Sequence, residues 1–416
     1  MSFNLSSNTK SIWSWALYDW ANSVFATVVV AGFFPVVFKQ YWAADLTSEA
    51  STFWLGSTNS LISFMIVLLA PLLGALGDCK AWRKYLLLAF MLLGVLATAG
   101  LYGVSAGSWQ QALMLYGVAL LGFMLANVFY DALLLPVSQG QHLERYSSRG
   151  YALGYLGGGL LLALCVAMSQ QPAQFGFHTS IDAVLVSFLL VAVWWLVFTL
   201  PLAYYVREPK PLLQKTLRVT DLLREARNAL RNCFAQRDIR LFLIAYWIYI
   251  DGVDTIIFMA VDYGMSLGFA VGDLITALLI TQFVGFPAAI VFSRIGERIG
   301  VKRVLLLGLA GYGLITLWGY FMTSAMEFYV LATAIGLVQG GVQALSRSWF
   351  ARMIPVERSA EYFGIYNMVG KAAAVLGPVL MGLVVMLTHN HRYSILSIII
   401  FFIVGSILLS KVKQPE

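Results

Sequence analysis

Residues 77–84 read "GDCKAWRK", and a segment of similar chemistry, "GERIGVKR", follows at 296–303. Each segment has an acid after its glycine, Asp78 or Glu297, and ends on two basic residues at the same distance from that acid. Glu297 lies 219 positions after Asp78. A repeat at this spacing in a chain of 416 residues predicts two halves with the same order of elements.

A second feature keeps the same spacing. Pro136 and Pro355 are also 219 positions apart, and a polar loop follows each of them. The segments after these loops are rich in Tyr and Gly, "YALGYLGGG" and "YFGIYNMVGK". Repeated halves of this kind are typical of transporters that arose by duplication.

The composition indicates a membrane protein. The chain is 60% hydrophobic and only 11% charged, with a mean hydropathy of +0.79. Soluble domains carry about 25% charged residues, so this chain has too few charges to cover a globule of its size. The basic residues, which give a pI near 9.2, lie between apolar runs and indicate membrane topology rather than nucleic-acid binding.

Twelve apolar segments of about 20 residues are long enough to cross a bilayer. Glycine is frequent within them, as close packing of helices in lipid favours. We therefore expect an all-α membrane protein with twelve transmembrane helices. The expected spans are 12–38, 54–76, 85–104, 110–136, 150–169, 182–206, 240–261, 272–293, 303–322, 328–350, 361–387 and 393–411.

The distribution of basic residues predicts the orientation of these spans. If the N-terminus is cytoplasmic, nearly all Lys and Arg lie in cytoplasmic loops or in the C-terminal tail. Lys39 and Arg392 lie at outside ends, and Lys371 lies within a span. Because cytoplasmic loops are enriched in Lys and Arg, we expect both termini to be cytoplasmic.

One long polar stretch divides the chain. We expect an N-terminal six-helix bundle over 1–206, a cytoplasmic linker over 207–239 and a C-terminal six-helix bundle over 240–416. Apolar residues recur at helical spacing between positions 222 and 234, with arginines mostly on the other face. This pattern predicts an amphipathic helix on the inner leaflet, and it is also compatible with a charged linker that only joins two bundles.

Polar side chains inside the expected spans mark a candidate site. A carboxylate there costs roughly 2.5–3.5 kcal/mol on insertion scales, so it normally faces a polar cavity. On spans one, four, seven and ten these residues recur three or four positions apart, which places them on one face of each helix. The candidates for binding substrate or protons are Asp19, Asn22, Asn127, Asp131, Asp251, Asp254, Gln339, Gln343 and Arg347, with Asn367 and Lys371 on span eleven.

Lys371 is expected to have a carboxylate partner, because an unpaired lysine inside a span is costly. Asp19 and Asp131 are both candidates, and the sequence does not choose between them. An ion pair of Asp19 with Lys371 would serve either helix packing or coupling. Asp131 would either cap the cytoplasmic end of its span or take part in coupling.

The other polar groups leave similar alternatives. The stripe of Gln339, Gln343 and Arg347 would either make hydrogen bonds between helices or face the cavity, and we favour the cavity. Asp251 and Asp254 lie near the middle of span seven, on one face, where packing gives them no purpose. They are therefore expected to be functional.

The loop motif resembles that of the major facilitator superfamily. Gly74, Asp78 and the basic end at 83–84 follow the pattern GxxxD…RK between spans two and three. The usual arginine after the acid is Cys79 here, and the superfamily's frequent arginine in span four is replaced by Asp131. The residues expected to form a cytoplasmic gate are Gly74, Asp78, Arg83 and Lys84, and in the second copy Glu297, Arg298, Lys302 and Arg303.

A narrower resemblance rests on four motifs. They are "YDWANSVF" in span one, "FYDALLLP" in span four, "DGVDTI" in span seven and "GLVQGGVQALSRSWFARMIP…EYFGIYNMVGKAAAVLGP" over spans ten and eleven. Together they resemble the group named for an unknown major facilitator, which is similar to the autophagy-related vacuolar amino-acid effluxers of yeast. The resemblance implies two pseudo-symmetric bundles and a central cavity lined by spans one, four, seven and ten.

The expected function is secondary active transport of a small polar organic solute, with amino acids or similar zwitterions first. Proton coupling is expected, with one carboxylate binding a proton outside and releasing it inside. A siderophore, a drug or another metabolite is the nearest alternative cargo. A membrane enzyme or a channel fits less well, because the chain has no nucleophile motif or Walker lysine and because a channel needs no duplicated layout with gate motifs on one side.

The expected partners are the small-molecule substrate, protons and the lipid bilayer. No cofactor, metal or nucleic acid is expected, since His389 and His391 lack an acidic third ligand and the three cysteines are far apart. No cleavage site ends the first apolar run, so we expect the first helix to be retained. We expect a monomer in a bacterial inner membrane.

Overall fold

The computed structural model describes residues 5–208, 219–373 and 376–413, and helices account for nearly all of this part. In the first half of the chain (5–208) the helices are α1 (Leu5–Val24), α2 (Phe34–Val37), α3 (Ser48–Lys80), α4 (Arg83–Gly100), α5 (Trp109–Ser138), α6 (Leu143–Gln170) and α7 (Ser180–Tyr205). The π-helical segment Phe25–Phe33 joins α1 to α2, and a second π-helical segment, Phe38–Trp42, follows α2. Short 3₁₀ turns lie at Leu101–Gly103 and Pro172–Phe175.

The rest of the chain is helical as well. A separate helix, α8 (Val219–Ala235), precedes the second half of the chain (237–413). The helices of the second half are α9 (Arg237–Ser266), α10 (Val271–Ile299), α11 (Val301–Phe321), α12 (Ala325–Arg352), α13 (Ser359–Ala373), α14 (Leu376–Thr388), α15 (His391–Ser397) and α16 (Ile399–Ser410). A 3₁₀ turn, Val356–Arg358, precedes α13.

Two of the long helices begin with capping boxes. The Thr179 hydroxyl accepts a hydrogen bond from the Asp182 backbone N–H, and the Asp182 carboxylate accepts one from the Thr179 N–H. Ser324 and Glu327 make the same exchange at the start of α12. These contacts satisfy N–H groups that the first turn of a helix leaves without partners.

In the described residues, eleven helices are long and apolar enough to cross a membrane. The twelve predicted spans include one over 240–261, which is not among these eleven. That stretch lies within the helix α9, which carries Asp251 and Asp254 near its middle. The structure therefore shows a multi-pass helical protein, and the count of twelve stays a prediction.

The halves of the chain pack most extensively through α3 with α13 and α6 with α10, and also through α6 with α12 and α5 with α13. Glycines bring the first pair into close contact. A Cβ at Gly74 would lie 2.3 Å from the Ala360 carbonyl oxygen, and one at Gly364 would lie 2.5 Å from the Ala70 carbonyl oxygen. Because no other residue fits between these backbones, both positions require glycine.

One face of helix α8 packs on protein. Its small side chains Ala226, Ala229 and Cys233 are buried, and the helix contacts α3, α9 and α13. The sequence predicts this amphipathic face to lie on the inner leaflet. In the structure the three small residues cover helices from both halves of the chain, while Leu223 and Phe234 are exposed, so the place of α8 on the inner leaflet stays a prediction.

Candidate functional site

A cavity of about 400 Å³ lies between helices of the two halves. Its walls come from α1, α5 and α6 on one side and from α9, α10, α12 and α13 on the other. Ten of the eleven predicted site residues line it: Asp19, Asn22, Asn127, Asp131, Asp254, Gln339, Gln343, Arg347, Asn367 and Lys371. The eleventh, Asp251, faces α14, where its Oδ1 accepts a hydrogen bond from the Gly377 N–H.

The cavity has two unlike ends. It reaches Tyr263 near the last turn of α9, Phe328 in the first turn of α12 and Ile395 in α15. Its other end lies at Arg347, toward the side of the molecule that carries the repeated loops 77–84 and 296–303. We call that side the gate end.

Arg347 closes the cavity toward the gate end. Its Nη1 lies 3.1 Å from Asp131 Oδ1 and 4.0 Å from Asp19 Oδ2. Its Nε donates to the Ser147 hydroxyl at 2.9 Å, and its Nη2 donates to the Ser147 carbonyl at 2.8 Å. One buried guanidinium on α12 thus binds side chains of α1, α5 and α6, which ties the halves together.

Aromatic rings complete the environment of this guanidinium. Its central carbon lies 4.4 Å from the ring centre of Tyr151, 5.1 Å from that of Trp15 and 5.2 Å from that of Tyr130. Such cation–π contacts add roughly 2 kcal/mol or more where the cation is desolvated. Arg347 therefore has two acids, a hydroxyl, a carbonyl and three rings as partners, which leaves its charge compensated within the protein.

Both acids of this cluster have further donors. Asp19 accepts hydrogen bonds from the Ser23 and Tyr130 hydroxyls, at 3.1 and 3.2 Å. Asp131 accepts one from the Asn367 amide at 3.0 Å. Asn367 lies on α13, so a second helix of the second half is bonded to α5.

The expected ion pair of Lys371 with Asp19 or Asp131 does not form, because both acids pair with Arg347. Among the described residues, no ion pair within 4.0 Å involves Lys371 or Asp254. The Lys371 ammonium is nevertheless close enough to Asp131 and Asp254 to interact with them electrostatically. The cavity therefore presents one positive group, Lys371, and one negative group, Asp254, neither of which is in a direct ion pair.

Neutral polar groups line much of the remaining wall. The Asn22 amide donates to the Asn127 amide oxygen at 2.6 Å. Gln339 and Gln343 face the cavity from α12. The rings of Tyr246 and Tyr366 stack with centres 4.2 Å apart, and both residues also line the cavity. Amides and hydroxyls of this kind can donate and accept hydrogen bonds, which suits a polar solute.

The first copy of the repeat connects the halves at the gate end. Asp78 accepts hydrogen bonds from Arg83 Nε at 2.7 Å and from the backbone N–H groups of Ala360 and Glu361 at 3.0 and 2.8 Å. Arg83 Nη2 donates to the Glu357 carbonyl at 2.8 Å. Asp78 thus caps the first turn of α13, where a negative charge is favoured by the helix dipole.

The basic end of that copy holds neighbouring helix ends. Lys84 Nζ donates to the Ala203 and Val206 carbonyls at the end of α7. The Glu208 carboxylate accepts the backbone N–H groups of Arg83 and Lys84 and so caps α4. Burial raises the pKa of Glu208, while these N–H groups and the two basic side chains oppose that rise.

The second copy makes fewer contacts. Glu297 pairs with Arg145 at 2.8 Å, and Lys302 Nζ donates to the Ser410 and Val412 carbonyls, at the end of α16, at 2.6 and 2.8 Å. Arg298 and Arg303 are exposed, and neither joins an ion pair within the described part of the chain. Lys302 thus acts on α16 as Lys84 acts on α7.

Comparison of the chain with known proteins identifies its family. Residues 7–143 and 137–416 match the family model described as "Vacuole effluxer Atg22 like". The chain belongs to this Atg22-like family. The two matched stretches together span residues 7–416, so the family assignment applies to both halves.

Two relatives illustrate the range of the Atg22-like family. The chain is 35% identical to the uncharacterized MFS-type transporter YxiO of Bacillus subtilis, over 98% of this chain and 95% of the relative. It is 24% identical to autophagy-related protein 22 of Kluyveromyces lactis, over 89% of this chain and 80% of the relative. This Atg22-like protein is thus a transporter rather than an enzyme.

Solved structures show the same fold. The human organic anion transporter MFSD10 superposes with a TM-score of 0.70 at 15% identity, covering 97% of this chain and 99% of the other. The proton:xylose symporter XylE superposes with a TM-score of 0.73 at 12% identity, covering 99% and 97%. The Atg22-like chain therefore has the major facilitator fold, as its loop motif and duplicated layout indicate.

Several residues of the site were missed in the sequence. Glu144 on α6 pairs with Arg352 on α12 through two contacts of 2.6 and 2.7 Å, and Ser147 and Tyr151 hold Arg347. The sequence of this loop, "QGQHLERYSSR" at 139–149, predicts only membrane topology, because charged residues next to a span normally face water. The available clue in the sequence is an acid, Glu144, close before the apolar run of the next span.

Proposed function

We propose that this Atg22-like transporter moves a small zwitterionic solute, with amino acids first, by alternating access coupled to protons. The observation that carries the proposal is the pair of charges in the cavity, Asp254 and Lys371, that are not engaged in an ion pair with each other or with their neighbours. A solute with one ammonium and one carboxylate would compensate both charges.

The Arg347 cluster supports this choice by exclusion. Because Asp19 and Asp131 already balance Arg347, a solute carboxylate gains little from that guanidinium. Lys371 is then the cation available to a carboxylate, and Asp254 is the acid available to an ammonium. A solute without either charge would leave Asp254 and Lys371, both half-buried, with only their longer-range attraction to each other and to Asp131.

The proposed topology has twelve spans with both termini in the cytoplasm, so that the gate end faces the cytoplasm. The two bundles would be 1–206 and 240–416, joined by the linker 207–239, in a bacterial inner membrane. Eleven apolar helices and the position of the basic loops support this arrangement. In it, the described state is closed toward the cytoplasm and its cavity extends toward the outside.

Alternating access requires the contacts at the gate end to break and re-form. Asp78 with Arg83, Glu144 with Arg352 and Arg347 with its acids all hold the gate end closed. A zwitterion that draws Lys371 and Asp254 toward itself would change the charge balance next to the Arg347 cluster. We infer that this change favours the opening of the gate end.

The test is counterflow in proteoliposomes with a pooled set of labelled amino acids. We expect uptake by the wild type. We expect uptake to fall at least tenfold in Asp254→Asn and in Lys371→Met, because each variant removes the partner of one charged group of the solute. Asp45→Asn, the same substitution on an exposed loop residue, is the matched control and should transport like the wild type.

Two results would contradict the proposal. Absence of uptake of every amino acid by folded wild-type protein would overturn the cargo and place siderophores, drugs and other metabolites first. Equal uptake by wild type, Asp254→Asn and Lys371→Met would keep the transporter but remove both residues from the binding site.

A further inference from the structure

Asp251 differs from the other predicted site residues because it lies outside the cavity. Its side chain faces α14 and only 1% of the residue is exposed. Oδ1 accepts a hydrogen bond from the Gly377 backbone N–H at 3.1 Å. Oδ2 is buried and makes no hydrogen bond with any residue that the structure describes. Oδ1 of this carboxyl group therefore has a hydrogen-bond donor, and Oδ2 has none among the described residues.

The described helices around Asp251 pack closely. A Cβ at Gly377 would lie 1.8 Å from the Thr255 hydroxyl oxygen, and a Cβ at Gly252 would lie 3.0 Å from the Phe402 ring. The Thr255 hydroxyl lies near the Asp251 carboxyl but makes no well-formed hydrogen bond in the described part. Helices α9, α14 and α16 are thus in direct contact around the acid.

Charges nearby do not favour an ionised Asp251. From its own helix, Asp254 adds a like charge one turn away. The contacts from α14 and α16 are the Gly377 backbone and the phenylalanine rings at 401 and 402, none of which titrates. Lys371, the cation on α13, interacts with Asp131 and Asp254.

An ionised carboxylate with a single donor is expensive to bury, and such a group becomes neutral by taking up a proton. The neutral acid fits the observed contacts. Its carbonyl oxygen accepts the Gly377 N–H, and its hydroxyl needs no charge compensation. Ionisation of Asp251 would require water or new donors, and these can reach it only if α9 and α14 move apart.

We propose that Asp251 is the proton-binding carboxyl that couples solute movement to a proton gradient. The carboxylate takes up one proton to become a carboxylic acid, and it holds that proton while α9 packs against α14. Separation of the two helices lets water hydrate the carboxylate and the proton leaves. The assignment rests on the proposed function, and it separates the proton site from the solute site at Asp254 and Lys371.

The variant Asp251→Asn tests the assignment because its side chain keeps the acceptor for Gly377 and copies the protonated acid. In proteoliposomes with the pooled amino acids, a gradient of one pH unit should let the wild type accumulate solute up to about tenfold at one proton per solute. Asp251→Asn should lose that accumulation and retain counterflow, which moves no net protons. Asp254→Asn should lose both.

Two outcomes overturn the assignment. One is accumulation by Asp251→Asn equal to that of the wild type. The other is loss of counterflow as well as accumulation in folded Asp251→Asn, which would make Asp251 part of binding or packing.

A second measurement does not depend on cargo. The infrared difference spectrum of wild type minus Asp251→Asn should contain a protonated-carboxyl C=O band that shifts in deuterium oxide. If the wild type moves no amino acid, the cargo proposal fails, and this band alone decides the proton site. Absence of the band would overturn it.

Discussion

The two copies of the repeated loop segment have similar sequences and unlike surroundings. In the first copy, the side chains of Arg83 and Asp78 are 5% and 7% exposed, and the acid also caps α13. In the second copy, Glu297 pairs with Arg145 of α6, and their side chains are 25% and 46% exposed. The same kind of acid therefore makes a buried junction in one copy and a surface contact in the other.

The difference teaches that burial, and not the motif alone, decides what each acid contributes, and in the proposed gate burial therefore sets the strength of each copy. A buried ion pair that loses one partner costs about 3–5 kcal/mol, because the remaining charge is left uncompensated. A surface pair contributes about 0–1 kcal/mol, because water already solvates both charges. We therefore expect an asymmetric gate in which the first copy holds the gate end closed.

The largest effect is expected for Asp78→Asn. Removal of the charge leaves Arg83 buried and weakens the cap on α13, which should destabilise the closed gate by about 3–5 kcal/mol. Spin labels at the exposed positions 141 and 357, introduced as Gln141→Cys and Glu357→Cys with Cys79→Ser, would report this as a new population at longer distance. An unchanged distance distribution would show that the first copy does not hold the gate.

A smaller effect is expected for Gly74→Ala. The new methyl group would meet the Ala360 carbonyl at 2.3 Å, so α3 and α13 must separate, at a cost of about 1–3 kcal/mol. The control is Gly296→Ala, where the nearest atom is the flexible end of Leu345 at 3.2 Å. Thermal unfolding of the two variants compares the sites. Equal melting temperatures would contradict the close approach of α3 and α13.

The smallest effect is expected for Arg145→Gln, since its pair with Glu297 is largely solvated. The closed population should change by about 0–1 kcal/mol, and by less at high salt. Arg352→Gln sharpens the comparison, because its partner Glu144 is buried. The same spin-label distances at low and high salt would rank the two variants. A larger shift for Arg145→Gln than for Arg352→Gln would reverse the ranking.

Much of the fold follows from the sequence, because its signals are local. Long apolar runs predict the helices, and the spacing of the loop segments predicts a duplicated order. The positions of Asp19, Asp131, Asp254 and Arg347 also follow, since polar groups in lipid must face a polar cavity. Ten of the eleven predicted residues line one cavity, which helical periodicity and the cost of burial were enough to predict.

The remainder depends on contacts between distant parts of the chain. The sequence could not show that Arg347 pairs with both Asp19 and Asp131, the acids expected for Lys371, because the partners lie on different helices. It placed Asp251 and Asp254 on one face, although a separation of three residues rotates a helix by about 60° from full alignment, enough to turn one acid toward α14. Burial of α8 against protein could not be read from its pattern either, since lipid and protein both accept an apolar face.

The proposed closure of the cytoplasmic end is tested most directly by measuring from which side of the membrane the cavity can be reached. Met124→Cys, in the Cys79→Ser background, places a thiol on the cavity wall, and a membrane-impermeant thiol reagent then probes right-side-out and inverted vesicles. We predict labelling in right-side-out vesicles, protection in inverted vesicles, and loss of that protection when Asp78→Asn is added. Labelling in inverted vesicles with protection in right-side-out vesicles, with Asp78 in place, would contradict a gate that closes the cytoplasmic end.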